Sequence, residues 1–404
     1  MIQQSSSPAV QQSGSPQRER AGAAQDSHGS NGPRTLPIPP ATPRAIAVAG
    51  GVTTGPAAAG RASGLAAKVA FLSQPGAYPE PTARVVRVET HMSWVFLLDA
   101  NAYKLKKPAR LPYLDFGTVA LRKFFCDEEL RLNRRLSDGV YLDVVPLTMG
   151  ADGGLRVGGG PGIDGSGDDV VDWLVHMRRL PAERMLDRVI AGHGPGDPDL
   201  RRVVERLARF YRAGPTVPTT PDDYRARFAA AIRQSRSELA KPRYGLPAAD
   251  VEATFDRQLA ALKCHAALVG ERAAAGRVVE GHGDLRPEHV CLEARPQFID
   301  CLEFSRDLRV LDPVDELGFL ALECERLGAR WARECIFRTY TEVTGDAPAD
   351  ALVAFYQSYR AGIRARIAAW HLDDDSVQDP AKWITRAGEY LRLARARVDA
   401  CGPC

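Results

Sequence analysis

His282-Gly283-Asp284-Leu285-Arg286-Pro287-Glu288-His289, and further on Phe298-Ile299-Asp300-Cys301, are the residues on which the reading of this chain turns. The runs His289–Glu293 and Gln297–Cys301 read as a short β-hairpin, which returns Asp300 towards the end of the first segment. Phosphoryl transfer needs an acceptor for the substrate hydroxyl proton, ligands for Mg²⁺ and cations on the phosphates. A catalytic loop of the form H-R-D-L-x-x-x-N supplies the base aspartate and, five residues later, a metal-binding asparagine. Asp284 stands at the base position and His289 at the asparagine position, and Asp300 can reach the same metal from the hairpin. H-G-D alone is a chance triplet in many chains. The hairpin and the second aspartate make it a signal. Arg286 is a candidate contact for the transferring phosphate and reads equally as a surface arginine.

Upstream, Ala102-Tyr103-Lys104 carries the A-x-K of a phosphate-binding strand, with Ala102 and Lys104 on one face by the period of two. Lys106 shares that face, and a solvated edge is the plainer reading of such a lysine run. The partner of Lys104 should be a glutamate on the next helix. The stripe Leu121, Phe125, Leu132 and Leu136 predicts that helix over Thr118–Leu136. Glu128 falls near the middle of the stripe and Glu129 closer to its edge. A carboxylate directed at a core needs a cation, so periodicity leans to a Lys104–Glu128 pair; exposed i,i+4 pairing is the alternative.

The chain has 404 residues, 45% of them hydrophobic, with 53 basic against 50 acidic side chains and a net charge of +3. Two or three structural units fit that length. The even balance argues against a nucleic-acid partner bound through a basic surface, and no apolar run reaches the roughly 18 residues of a membrane span. With no signal-like start either, a cytoplasmic protein is expected; protein partners are not legible. Residues 1–65 hold Ser, Gln, Gly, Pro and Ala with five arginines, no lysine and no aromatic, and should be disordered. Order should begin near Ala66 with a short helix. Strand runs follow at Arg84–Leu98 and Ala102–Lys107, and beyond the helix at Leu142–Leu147 and Val170–Met177, with a Gly-rich surface loop over Gly150–Asp169. After Pro181 the pattern is helical through Ala275, and again from Pro313 to Ala400. The expected fold class is α+β: a small β-rich lobe over 66–180 and a larger helical lobe over 181–400 that carries the catalytic loop. The irregularly spaced cysteines read as small buried hydrophobes. Cys401-Gly402-Pro403-Cys404, after a helical run, reads as a frayed tail rather than a redox pair.

Together with these residues, Glu89-Thr90-His91-Met92-Ser93-Trp94, Tyr103-Lys104-Leu105-Lys106-Lys107-Pro108, Leu114-Asp115-Phe116, Glu129-Leu130-Arg131-Leu132-Asn133-Arg134-Arg135-Leu136 and Ile299-Asp300-Cys301-Leu302-Glu303-Phe304 form a specific set. From about Ala66 to Arg397 the chain resembles an uncharacterised bacterial branch of the aminoglycoside-phosphotransferase-like kinases. The resemblance implies a protein-kinase-like bilobal fold with ATP between the lobes and a small-molecule hydroxyl as acceptor. It implies Asp284 as base, Asp300 on Mg²⁺ and Lys104 on phosphate, and it favours Glu129 over Glu128 as the lysine's partner. Met177-Arg178-Arg179-Leu180-Pro181 resembles the interlobe hinge, whose backbone would meet adenine. Asp115-Phe116-Gly117 spells the kinase D-F-G but precedes the catalytic loop, so it cannot supply the metal aspartate. The segment expected over the phosphates, Glu89–Trp94, has no glycine; Ser93 and backbone amides would have to serve.

His289 is the main departure. Mg²⁺ prefers oxygen ligands, and imidazole suits Mn²⁺ better. Either the metal site is remodelled, or the chain is a catalytically impaired nucleotide-binding protein acting through partners. Many relatives carry a further Walker-type nucleotide domain; G-x-x-x-x-G-K-[ST] does not occur here, so that domain is not expected. Asp312-Pro313-Val314-Asp315 reads as a helix cap that braces the catalytic loop. Asp373-Asp374-Asp375 reads as a solvated loop rather than a trap for a cationic substrate.

Overall fold

The described part of the chain, in a computed structural model, comprises residues 64–111, 114–159, 169–192, 194, 196–373 and 379–402. Nearly all of the segment 1–65 expected to be disordered lies outside it, as do Asp374, Asp375 and Cys404.

α1 (Leu65–Leu72) is followed by β1 (Val86–Glu89), β2 (Ser93–Leu97) and β3 (Asn101–Lys106), an antiparallel meander. The sequence predicts one strand over Arg84–Leu98. There are two, because the Thr90 hydroxyl accepts the Ser93 N–H (2.9 Å) and the Thr90 N–H donates to Ser93 O (2.9 Å), closing a tight turn. A small ladder, β4 (Arg110–Leu111) with β5 (Leu114–Asp115), leads into α2 (Val119–Asn133), which Thr118 caps by accepting from Leu121 N. β6 (Tyr141–Met149), β7 (Leu155–Val157) and β8 (Asp169–Arg178) complete a six-stranded sheet in the order β1-β2-β3-β8-β6-β7. β7 lies within the Gly-rich stretch expected to be loop. Leu155 and Val157, alternating about Arg156, let it pair with the end of β6.

Alternation decides what the two faces of the sheet do. On one face Phe96, Tyr103, Leu105, Leu147 and Leu174 bury against Val69, Leu72 and Tyr78; burying a large apolar side chain is worth about 1.5–3 kcal/mol. On the other, β3 turns Lys104 and Lys106 towards α2. That helix buries Leu132, and Leu136 just past it is buried too, but Leu121 and Phe125 of the stripe are only partly covered, and most of its own buried positions are polar. Its buried positions are Arg122, Cys126, Glu129, Leu132 and Asn133. The buried face is polar because the sheet answers it with charge: Arg122 makes two bonds to Asp172 (2.7 and 2.9 Å), which also holds Lys68 of α1 (2.8 Å). Apolar periodicity therefore points to the wrong glutamate.

Past β8 come α3 (Leu186–Gly192), α4 (Asp197–Ala213), α5 (Pro221–Leu239), α6 (Ala248–Cys264) and α7 (Ala266–Ala274). β9 (Val279–Glu280), β10 (Val290–Cys291), β11 (Gln297–Phe298), α8 (Arg306–Arg309) and β12 (Val310–Leu311) are next. β10 and β11 form the predicted hairpin, and β12 returns to pair with β9. α9 (Pro313–Arg326), α10 (Ala332–Thr344), α11 (Asp350–Trp370) and α12 (Pro380–Asp399) close the helical lobe. α9 and α11 are buried over most of their length, as helices enclosed by others must be. No helix among the described residues is long and apolar enough to cross a membrane. Cys126, Cys291, Cys301, Cys324, Cys335 and Cys401 are buried free thiols.

Candidate active site

The loop between β9 and β10 is held from behind. Glu316 of α9 accepts the N–H groups of His282 (2.9 Å) and Gly283 (2.6 Å) and the Tyr211 hydroxyl (2.7 Å). Gly283 has φ +90°, and a Cβ there would meet Arg309 at 3.0 Å and Leu302 at 3.1 Å, so the position requires glycine. Arg360 of α11 reaches Gly283 O (3.3 Å) and is itself fixed by two bonds to Asp315 (2.7 and 2.6 Å). Asp312 caps α9 by accepting from Val314 N (3.0 Å), but the bracing of the loop falls to Glu316 and, through Arg360, to Asp315. His282 donates from Nε2 to Ile299 O (2.8 Å), tying loop to hairpin; burial, with His289 nearby, pulls its pKa down to about 4.

From the sheet side, Lys104 Nζ donates to Glu129 Oε1 (2.8 Å) and to Asp300 Oδ1 (2.7 Å). Lys106 Nζ donates to the other oxygen of Glu129 (2.6 Å) and to Glu303 (2.5 Å). Glu129 and Lys106 are fully buried, whereas the Asp300 side chain is 48% exposed. Burial alone would raise the pKa of Glu129 and lower those of the lysines. Their attraction outweighs it: Glu129 lies below its ordinary range and both lysines above theirs. Glu128, which periodicity favours, instead makes two bonds to Arg131 on the helix surface (2.9 and 2.7 Å). Glu128→Gln is accordingly expected to shift stability by less than about 0.5 kcal/mol in a urea melt.

Asp284, Arg286 and Asp300 meet around the His289 ring. Nδ1 of His289 faces Asp284 O (2.8 Å); a carbonyl only accepts, so Nδ1 carries the proton and Nε2 a lone pair. Nε2 lies 3.2 Å from Arg286 Nη2 and 3.5 Å from Asp300 Oδ2. Arg286 Nε donates to Asp284 Oδ2 (3.1 Å), and its Nη1 to Glu288. Burial works to raise the pKa of Asp284, but Arg286, Arg364 and His289 hold its carboxyl well below the usual range. Lys104 and His289 do the same for Asp300. Both aspartates are ionised at neutral pH. Asp300 has φ +61°, a left-handed backbone that costs a non-glycine residue on the order of 1 kcal/mol. The Tyr141 hydroxyl accepts the Asp300 N–H (3.0 Å) and Asn133 accepts the Cys301 N–H (2.9 Å), holding that backbone in place.

The remaining expected residues are less directly engaged. Ser93 is buried opposite Lys106 in the β2–β3 register, with its N–H given to Thr90. Met177 pairs with Ala102 and Tyr141 at the end of β8; the next residue, Arg178, makes two bonds to Glu293 (2.8 and 2.9 Å). In the Asp115-Phe116-Gly117 triplet, Asp115 accepts the Gly117 N–H and the Phe116 ring lies 5.0 Å from Lys106 Nζ. Asp373 accepts from Arg243 (2.8 Å) and Tyr244 (2.8 Å). The sequence reading assigns no role to Arg135, Tyr141, Glu303, Glu316 or Arg360. Arg135 donates to Glu280 O (3.0 Å) and Gly281 O (2.8 Å), fastening the end of α2 to the β9–β10 loop. Glu303 carries a local signal, a carboxylate close to Asp300 and opposite the lysine strand. The others act across packed elements that no spacing encodes.

No family model matches the chain. It is 28% identical over 322 residues to an uncharacterised protein of Mycobacterium tuberculosis and equally to one of Mycobacterium bovis, a match covering 78% of this chain. The chain spans 61% of the length of these curated relatives. Among solved structures it is similar to an aminoglycoside phosphotransferase in a GDP and kanamycin complex, at 15% identity and a TM-score of 0.49, covering 81% of this chain and 98% of that one. It is also similar to a choline/ethanolamine kinase family protein from Mesorhizobium loti, at 17% identity and a TM-score of 0.48, covering 82% and 98%.

Proposed function

We propose that the chain is an ATP-dependent phosphotransferase that moves the γ-phosphoryl group to a hydroxyl of a small molecule, with the nucleotide on 66–180 and the catalytic loop in 181–400. One observation carries this. Lys104, Glu129, Asp300, His289 and Asp284 are joined by direct contacts into one cluster although Lys104 and Asp300 stand 196 positions apart. In this reading Lys104, oriented by Glu129, takes the nucleotide phosphates, and the β1–β2 turn with Ser93 lies over them. Adenine meets the strand end at Met177. Arg286 holds Asp284 and faces the transferring group. Asp284, already ionised, orients the acceptor hydroxyl and takes its proton late, as a loose phosphoryl transition state requires. A cytoplasmic setting supplies the ATP.

The residues present fit a divalent ion. Asp300 offers an ionised, half-exposed carboxylate and His289 an Nε2 lone pair on the same side. Among the described residues no three or more ligating side chains are gathered, which suits an ion that completes its shell with phosphate and water. When bound, it would neutralise charge on the β- and γ-phosphates. Because imidazole nitrogen favours Mn²⁺ over Mg²⁺, Mn²⁺ is expected to support more turnover, and His289→Asn to improve the use of Mg²⁺. Electron paramagnetic resonance of Mn²⁺ with ATP, run beside turnover in both metals, checks this. Identical metal preference in the two proteins would remove His289 from the site. The reading itself is tested by an ATP-consumption screen against sugars, amino alcohols and aminoglycosides with each metal.

A further inference from the structure

α11 and α12 leave between them a cavity of about 330 Å³ whose wall includes Arg286 of the catalytic loop. Pockets for small molecules start at about 300 Å³. Arg364 of α11 and Lys382 and Arg386 of α12 line it with the rings of Trp383 and Tyr390. Arg364 Nη1 stands 4.0 Å from Asp284 Oδ1, so the cavity opens beside the proposed base. Among the described residues no carboxylate lines it. Nearby carboxylates already engage side chains at this wall: Asp284 and Glu288 bond Arg286, and Glu323 accepts at Oε2 from Arg326 and the Tyr390 hydroxyl, its buried Oε1 having no hydrogen-bond partner among the described residues. Glu389 lies 3.5 Å from Arg386.

One of these cations is poorly answered. Arg364 Nε is buried with no hydrogen-bond partner, and the guanidinium rests 5.7 Å from the Tyr390 ring. Lys382, which is exposed, places its ammonium 5.4 Å from the Trp383 ring and forms no ion pair among the described residues. A buried donor without an acceptor is unfavourable. A carboxylate or phosphate relieves it, through the forked contact that arginine makes with such groups. A cationic acceptor would instead meet Arg364 and Lys382, neither of which has a carboxylate within hydrogen-bond distance among the described residues.

We propose that this cavity receives the acceptor and that the acceptor is an anionic alcohol, a small molecule bearing a carboxylate or phosphate besides its reacting hydroxyl. This rests on the phosphotransferase reading. In the reaction the acceptor O–H bond breaks, its proton passing to Asp284 and then to water. The acceptor oxygen bonds the γ-phosphorus, and the bond from that phosphorus to the β,γ-bridging oxygen breaks, its electron pair leaving with ADP.

A hexose series with shared hydroxyls and different charge tests it: glucose, glucosamine, gluconate and glucose 6-phosphate. Binding to the full chain is followed by quenching of Trp383 fluorescence, with Trp383→Phe as blank, and transfer by product analysis. Gluconate or glucose 6-phosphate should bind at least about tenfold more tightly than glucose or glucosamine, and which of the two leads tells carboxylate from phosphate. Lys382→Gln and Arg386→Gln should each weaken that anion binding with the ATP KM unchanged. Preferential binding or phosphorylation of glucosamine overturns the anionic acceptor and leaves the phosphotransferase reading standing. Saturable anion binding, lost in the variants, with no phosphoryl transfer to any acceptor supports the anion site and overturns the phosphotransferase reading. No saturable binding of either anion overturns the proposal.

Discussion

Asp284→Asn is expected to lower phosphoryl transfer by about 10²–10⁴-fold, the usual worth of general-base help, while ATP affinity changes little. The reason is positional. Asp284 lies beyond His289 from the lysine, bonded to Arg286 and close to Arg364, and makes no contact with Lys104 or Glu129. Asp300 is the opposite case, because its carboxylate is bonded to Lys104 and faces His289. Asp300→Asn should therefore weaken binding of the metal–nucleotide complex first. ATP titration and single-turnover transfer on both variants separate the two roles. Equal losses of ATP affinity, with no separate defect in turnover, would show that the assignments are wrong.

Glu129→Ala should destabilise the fold by about 1–3 kcal/mol, the cost of leaving buried ammonium donors short of an acceptor, and abolish nucleotide binding. Glu129 is the shared acceptor of two ammonium groups, one of them fully buried. Without it Lys106 keeps Glu303 and Lys104 keeps Asp300, so Lys104 closes on the aspartate that a metal–nucleotide complex needs. The double variant Glu129→Met with Lys106→Met separates the two effects. It replaces a buried ion pair by apolar side chains of similar length, so stability should largely return while nucleotide affinity does not. Urea melts beside ATP titrations give both readings. Recovery of ATP binding in the double variant would mean that Glu129 has no part in orienting Lys104.

How much of this is legible in the sequence depends on whether a feature is local. The β10–β11 hairpin is, because turn chemistry and alternation sit within a dozen residues. So is the sharing of one strand face by Lys104 and Lys106. The phase of α2 is not. Its inward face carries Arg122, Glu129 and Asn133 beside Leu132, and an apolar stripe alone does not show that Glu129 rather than Glu128 turns inward. What makes that face the inner one is Asp172 on β8 and the two lysines on β3. The break at Thr90–Ser93 is missed for a smaller reason: a single threonine hydroxyl ends a run that otherwise alternates like one strand. Least legible is the support behind the catalytic loop. Glu316, Asp315 and Arg360 come from helices whose rotation is set by packing, and the cations of the α11–α12 cavity are spread over three separate segments.

Everything proposed for Lys104, Asp284 and Asp300 requires that ATP give its γ-phosphoryl group to a hydroxyl beside Asp284. ³¹P NMR of ATP with the full chain, a mixed hydroxyl-acceptor pool and Mn²⁺ or Mg²⁺ measures it in one tube. The wild type should give ADP together with a new phosphomonoester resonance, and Asp284→Asn should give both at least about 10²-fold more slowly despite undiminished ATP binding. ADP and phosphomonoester appearing at the same rate from Asp284→Asn, or no ATP binding by the wild type, would contradict it.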